Sequence, residues 1–311
     1  MELLFLNPVM KETIWGGDKL AKEFGYEIPG DHTGECWAIS AHPNGDGTIK
    51  GGTWNDVSLS TLWREHPELF GNRREKQFPL LVKIIDARED LSIQVHPDDK
   101  YAGEHEHGSL GKTECWYILD CEENSTIIIG TKAGSPAEVA DLITAGRYHD
   151  LIREIPIKKG DFFQIDPGCL HAIKGGTVIL ETQQSSDITY RVYDYDRRSD
   201  GKLRELHQKQ SIDVITAPFE PEKTQPPVTI EHLTGATRTH YVTCPYYQVA
   251  HYKTEDRFET DFHADFVNVS ILNGQGRLNG IEIRKGDHFI IPCGYGTCKF
   301  EGRLEFICSQ P

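Results

Sequence analysis

A chain of 311 residues is long enough for one large or two modest domains, each able to bury a core. Its formal charge is −15, and no basic cluster exceeds Arg73-Arg74 or Arg197-Arg198, which argues against nucleic acid as a partner. No apolar run approaches the roughly 20 residues of a membrane helix, and the start, MELLFLNPVM, lacks the basic region and long apolar core of a signal peptide.

Residues 1–57 mix short extended runs with glycine-rich turns. Residues 58–70 (SLSTLWREHPELF) predict a short helix with Leu59, Leu62 and Trp63 on one face, limited by Pro67. Residues 78–85 (FPLLVKII) predict a buried strand. Residues 91–97 (LSIQVHP) predict a short strand that Pro97 ends, because proline cannot continue a ladder. A polar loop is expected over 98–111, and its Glu104-His105-Glu106-His107 run reads as a solvated tip rather than a metal site. A further strand begins at Glu114.

Ser135-Pro136-Ala137-Glu138 is a strong helix start: a capping serine, proline at the first helical position and a glutamate completing the capping box. That helix should run to about Ala145, with Gly146 as its stop. Residues 177–183 (TVILETQ) and 188–193 (ITYRVY) alternate as strands, and the prolines of 217–227 mark a linker. Beyond it, short strands are expected over 246–252, 266–272, 277–283 and 288–291, with hairpin turns at Asn273-Gly274 and Asn279-Gly280. KKGDFFQIDPG (158–168) and RKGDHFIIPCG (284–294) form an internal repeat, but a histidine, His171, follows only the first copy.

The chemistry-bearing residues cluster around the 91–119 stretch. Gln94 and His96 are two apart on a strand, so they point to one face roughly 6.6 Å apart. If the strand from Glu114 pairs nearby, an amide oxygen, an imidazole and a carboxylate converge. That nitrogen/oxygen set suits zinc or another first-row divalent ion. Each residue also has an ordinary reading, as a packed core histidine or a solvated glutamate. The turn–strand–turn–His171 pattern of 160–171 adds a fourth candidate and matches the second metal-binding motif of a cupin barrel. The eight cysteines are scattered with no CxxC pair, which points to a reduced, cytoplasmic protein without a thiolate site. Cys115 and Cys169, beside proposed ligands, read as small core residues.

The chain resembles the type I mannose-6-phosphate isomerases in their short bacterial form. The resemblance rests on Trp15-Gly16-Gly17, Gly34-Glu35-Cys36-Trp37, Gln94-Val95-His96-Pro97, Gly111-Lys112-Thr113-Glu114, Leu170-His171-Ala172 and the ETQQSSDITYR run from Glu181 to Arg191. It implies a mainly β fold: a cupin-type β-barrel, or jelly roll, with a few helices over 1–216, the linker at 217–227, and a second, degenerate cupin-like β-domain over 228–311 without metal ligands. It implies one zinc ion per chain on Gln94, His96, Glu114 and His171. Gln94 is either a direct ligand or a hydrogen-bonding neighbour of the ligands.

For substrate, the resemblance implies a phosphosugar held by Trp15, Lys112 and Arg191. Arg191 and Lys112 would be catalytic, and Glu181 would handle a proton or orient the substrate. The reaction implied is the interconversion of mannose 6-phosphate and fructose 6-phosphate through an enediol. A cupin of other chemistry, such as an oxygenase, another sugar isomerase or epimerase, or a non-catalytic sugar-binding module, is the alternative. Nothing in the sequence specifies the oligomeric state.

Overall fold

The computed structural model describes residues 1–199, 201–221, 225 and 227–311. Residues 222–224 and 226 of the expected linker lie outside the described residues. The chain is mainly β. Its first part forms two facing antiparallel sheets. One carries, in order, Phe162–Ile165, Glu114–Cys121, Thr177–Gln184, Leu80–Ala87, Val9–Gly17 and Thr33–Ile39. The other carries Ile152–Pro156, Thr126–Thr131, His171–Ile173, Ile93–Val95 and Tyr190–Tyr193. They pack as a two-sheet jelly roll, each with its own hydrogen-bonded ladder.

Alternation along the strands explains how three layers form. In Thr177–Gln184, Ile179 faces between the two sheets, where it meets Ile85, Ile118, Ile127, Ile165 and Ile173. Val178 and Leu180 face outward and join a second core with Tyr241, Val249 and Ile307 from the end of the chain. The six-stranded sheet is therefore covered on both sides, which is why 78–85 reads as a nearly continuous apolar run. The outer face of the five-stranded sheet packs on Val139, Leu142 and Ile143 of the helix Pro136–Thr144. Ser135 caps that helix by accepting from Glu138 N, as its sequence indicates.

The later part of the chain builds a larger antiparallel sheet in which Leu304–Gln310 lies between Gln248–Thr254 and Val267–Leu278. Two elements join it from the start of the chain: Leu4–Asn7 pairs with His288–Ile291, with Leu4 opposite Ile290, and Thr48–Ile49 pairs with the other edge of Leu4–Asn7. The internal repeat is a repeated turn. Lys158 N donates to Asp161 Oδ2 at 2.9 Å, and Arg284 N donates to Asp287 Oδ2 at 2.8 Å. Gly160 and Gly286 both sit near φ +90°, a left-handed conformation that favours glycine.

Two local expectations need correction. The 98–111 stretch is not all loop: Asp99–His105 is a helix, capped by Asp98, whose carboxylate accepts from Tyr101 N at 2.8 Å. Asn273-Gly274 is not a hairpin turn. The strand Val267–Leu278 runs through it, and an irregularity between Ile271 and Asn273 takes up the positive φ of Gly274. The hairpin closes instead at Asn279-Gly280, both at positive φ.

Candidate active site

The space between the two sheets has a dry half and a polar half, and strand register builds the polar half. Across the five-stranded sheet, His171 is paired with Gln94 and Gln94 with Arg191. Directly opposed residues share a face, so these three stand in one row, and His96 lies two residues along from Gln94 on the same side. Across the six-stranded sheet, Trp37 is opposite Lys83, Lys83 opposite Glu181 and Glu181 opposite Trp116. Glu114 lies two residues before Trp116 and so joins that face.

His96, Glu114 and His171 converge, with donor atoms all within 4.8 Å of one another and every side chain buried. His96 Nδ1 is 2.7 Å from the Ile188 carbonyl and His171 Nδ1 is 2.9 Å from the Cys169 carbonyl. A carbonyl only accepts, so each Nδ1 carries the proton and each Nε2 presents a lone pair to the centre. There the two Nε2 atoms meet the Glu114 carboxylate, at 3.4 Å from Oε2 and 3.4 Å from Oε1 respectively. Acceptor faces acceptor, and Glu114 Oε1 has no hydrogen-bond partner. Such an arrangement fits a cation, and the nitrogen/oxygen donor set suits a divalent first-row metal.

The same burial depresses the histidines. His96 is pushed down to about 3 by desolvation, with Lys112 adding to the effect, and His171 is lowered chiefly by burial. Both are therefore neutral, as metal-ligating imidazoles must be. Burial alone would raise the Glu114 carboxyl, but the Lys112 ammonium beside it holds it well below its ordinary range.

Gln94 and Lys112 form the boundary between this cluster and a cavity of about 370 Å³ above it. Gln94 Nε2 lies 3.3 Å from His171 Nε2, and its Oε1 lies 3.3 Å from Ser92 Oγ. Exchanging the two amide atoms turns the oxygen to the cluster while Ser92, which donates or accepts, keeps its bond. Lys112 Nζ is 2.5 Å from Glu114 Oε2 and 3.1 Å from His96 Nε2. Lys112 precedes the strand; its segment is fixed by Lys112 N donating to Pro97 O, Gly111 N to Asp99 Oδ1 and Thr113 N to Gln184 Oε1. A side chain at Gly111 would strike the Asp98–Asp99 backbone at 2.5 Å, so the loop can close this tightly only with glycine there.

Trp15, Glu181 and Arg191 also line the cavity. Trp116 Nε1 donates to Glu181 Oε2 at 3.0 Å, while Glu181 Oε1 has no hydrogen-bond partner and lies 3.7 Å from Lys83 Nζ and 3.9 Å from Lys112 Nζ. Burial, reinforced by the Glu114 charge, raises the Glu181 carboxyl to about 7 against the pull of the two lysines. Trp15 is buried with its ring against Gly34, where an added Cβ would meet it at 2.5 Å.

Several residues here escape the sequence reading. Lys83 is buried within the apolar run and bridges Glu181 to Glu35, whose Oε2 is 3.5 Å away. Desolvation would lower its ammonium, but the two carboxylates hold it above its ordinary range. The signal was present: a lysine in a strand covered on both faces is costly unless paired. Arg204 and His207, also on the cavity wall, come from a loop with no such mark. Among the described residues the Glu104–His107 run forms no metal cluster; Glu106 instead accepts from Tyr190 OH at 2.8 Å. Cys115 and Cys169 are buried and free. A larger groove, about 820 Å³, lies on the C-terminal sheet beside Lys50, Arg277 and Arg284, away from this cluster.

Comparison with known proteins agrees with this geometry. Residues 3–125 match the family model for the phosphomannose isomerase type I catalytic domain, and 237–311 match that for the mannose-6-phosphate isomerase cupin domain. Mannose-6-phosphate isomerase ManA of Bacillus subtilis is 46% identical over 314 residues, covering 99% of both chains. The chain belongs to the type I phosphomannose isomerases. The mannose-6-phosphate isomerase of Streptococcus mutans is another relative of this family, 48% identical with 99% of this chain and 98% of that one covered. The crystal structure of the Bacillus subtilis mannose 6-phosphate isomerase superposes with a TM-score of 0.98 at 44% identity, covering all of both chains. The type I phosphomannose isomerase fold thus extends over the whole chain, and the expectation of a cupin-type isomerase holds.

Proposed function

We propose that the chain interconverts mannose 6-phosphate and fructose 6-phosphate through an enediol, with one zinc ion held by His96, Glu114, His171 and the Gln94 amide oxygen. The observation that carries this reading is the buried set of acceptors facing one another around Glu114, with both imidazole protons turned away. When bound, zinc supplies a redox-inert Lewis acid for charge that develops on the substrate oxygens. The remaining work falls to the protein. The Lys112 ammonium, at the junction of cluster and cavity, offers a donor to a substrate oxygen. Glu181, with one oxygen held by Trp116 and the other open, has the proton affinity near neutrality that suits moving a proton between C1 and C2. Arg191 lies in line with Gln94 and gives the sugar phosphate a guanidinium to bind. Trp15 supplies an apolar wall.

The division into a catalytic unit over 1–216 and a second β-unit over 228–311 is part of this reading, with Leu4–Asn7 lent to the second sheet. Eight free cysteines support a reducing, cytoplasmic setting. The test is a coupled assay on mannose 6-phosphate with metal-stripped protein, with and without added zinc, beside Arg191→Ala. Turnover that returns only with metal and collapses in the variant is expected. Full activity without metal would overturn the reading.

A further inference from the structure

Arg191 lies two strands away from His171, about 10 Å across the sheet at the usual strand spacing. A sugar phosphate with its reacting carbons at the metal cluster therefore carries its phosphate to the part of the cavity that Arg191 lines. Two more residues meet Arg191 there. His207 is locked to it by the backbone: His207 N donates to Arg191 O at 2.8 Å, and Arg191 N donates to His207 Nδ1 at 3.1 Å. A backbone N–H can only donate, so Nδ1 is the acceptor, and the neutral ring carries its proton on Nε2. Burial and the neighbouring Arg191 charge keep that ring neutral by lowering its proton affinity.

Arg204 stands on the same wall and is close enough to depress Arg191, after burial. It is anchored from behind. Buried Asp194 takes Arg204 Nη1 on Oδ2 at 3.1 Å and Arg197 on Oδ1, and Arg197 in turn donates to Asp90 O. Two guanidiniums are thus brought into mutual repulsion at one cavity wall, and the buried Nε of Arg191 has no hydrogen-bond partner. Among the described residues lining the cavity, the acids Glu35 and Glu181 flank Lys83, and Asp187 already accepts from Asn44 at 3.0 Å.

We propose that Arg204 and the Nε2–H of His207 complete, with Arg191, a binding site for the phosphate dianion of the substrate. The chemistry matches: guanidiniums pair with phosphate oxygens bidentately, and a neutral imidazole N–H adds a donor without a further charge. The Asp194–Arg197 pair holds Arg204 in place without entering the site. The proposal rests on the phosphosugar reading above, and the test separates the two.

Inorganic phosphate is titrated into the zinc-loaded full chain by calorimetry, and the kinetics on mannose 6-phosphate are measured beside it. Arg204→Gln removes the charge. His207→Asn keeps an acceptor for Arg191 N–H and removes the ring donor, so it leaves the backbone lock intact. Each substitution should weaken phosphate binding at least tenfold and raise KM more than it lowers kcat, with Arg204→Lys recovering part of the loss. A purely structural role would instead lower the melting temperature and leave phosphate affinity within twofold of the parent; that result in both variants overturns the proposal. Phosphate binding that depends on Arg204 in a chain that does not turn over mannose 6-phosphate would uphold the anion site and remove the isomerase reading.

Discussion

Replacing Lys83 with methionine should destabilise the protein in a way that a second substitution repairs. Lys83 Nζ lies 3.5 Å from Glu35 Oε2 and 3.7 Å from Glu181 Oε1, and its side chain is 5% exposed. At an effective dielectric constant near 20, each contact is worth about 4 to 5 kcal/mol of gross attraction, most of it cancelled by the cost of taking the charges out of water. Removing one partner from such a set leaves the others uncompensated and typically costs about 3 to 5 kcal/mol. Glu181 softens the loss by taking up a proton, since its carboxyl already titrates near 7. We therefore expect about 3 kcal/mol at pH 8, a fall in Tm of about 6 to 12 °C, and a smaller fall at pH 5, where protonation removes the stranded charge. Thermal unfolding in chelator reads the structural effect apart from metal binding. Lys83→Met combined with Glu181→Gln should recover at least half of the loss. A single variant within 1 to 2 °C of the parent, or a double variant no better than the single, would refute the view that Lys83 is there to neutralise buried carboxylates.

Three further outcomes are expected. Gly34→Ala places a Cβ 2.2 Å from Thr13 Oγ1 and 2.5 Å from the Trp15 ring, so Trp15 must leave the cavity wall; KM should rise several-fold, with a blunted change in tryptophan fluorescence on substrate addition. Thiol titration should find at most Cys121, Cys244 and Cys293 reactive in the native state, because the other five cysteines are buried, and all eight in guanidinium; fewer than eight would reveal a disulfide. Glu305 joins the two parts of the chain, accepting from His251 at 3.0 Å and from Tyr117 OH at 3.4 Å, and the His251 contact holds its carboxyl down to about 2. A lowered folded-state value means that this stability is present above about 4.5, the unfolded value, and is lost as pH falls toward 2. Glu305→Gln should thus lower Tm at pH 7, and the difference should shrink below about pH 4.5 and vanish toward pH 2; a gap unchanged across that range would show that the charge plays no part.

What the sequence disclosed followed from periodicity. Gln94 and His96 share a face because strands repeat every two residues, and His171 is marked by the turn–strand–turn run of 160–171 before it, which matches a cupin motif. Glu181 is an acid on an otherwise apolar strand and so is marked by the cost of burying it, yet Lys83, subject to the same argument, is masked by the length of its apolar run. The cause was the cover on both faces of that sheet, which erases alternation. Arg204 and His207 were beyond reach: their place beside Arg191 depends on a backbone return across a loop, which leaves no regular spacing. The Asp99–His105 helix was hidden by its polar composition, although Asp98 after Pro97 was a capping signal.

The pairing of Leu4–Asn7 with His288–Ile291 bears on how the protein is made. At about 5 to 20 residues per second, a ribosome needs about 15 to 60 s to pass from one strand to the other. For that interval Leu6 can already pair with Ile49, but Leu4, buried in the finished molecule, lacks the strand partner Ile290. The strands that carry His96, Glu114 and His171 are complete once Tyr190–Tyr193 has emerged, well before His288–Ile291 is made. One edge of the opening strand is therefore filled early by Thr48–Ile49 and the other only at the end, so a chain stalled before residue 288 would leave an apolar strand edge open to pairing with another chain.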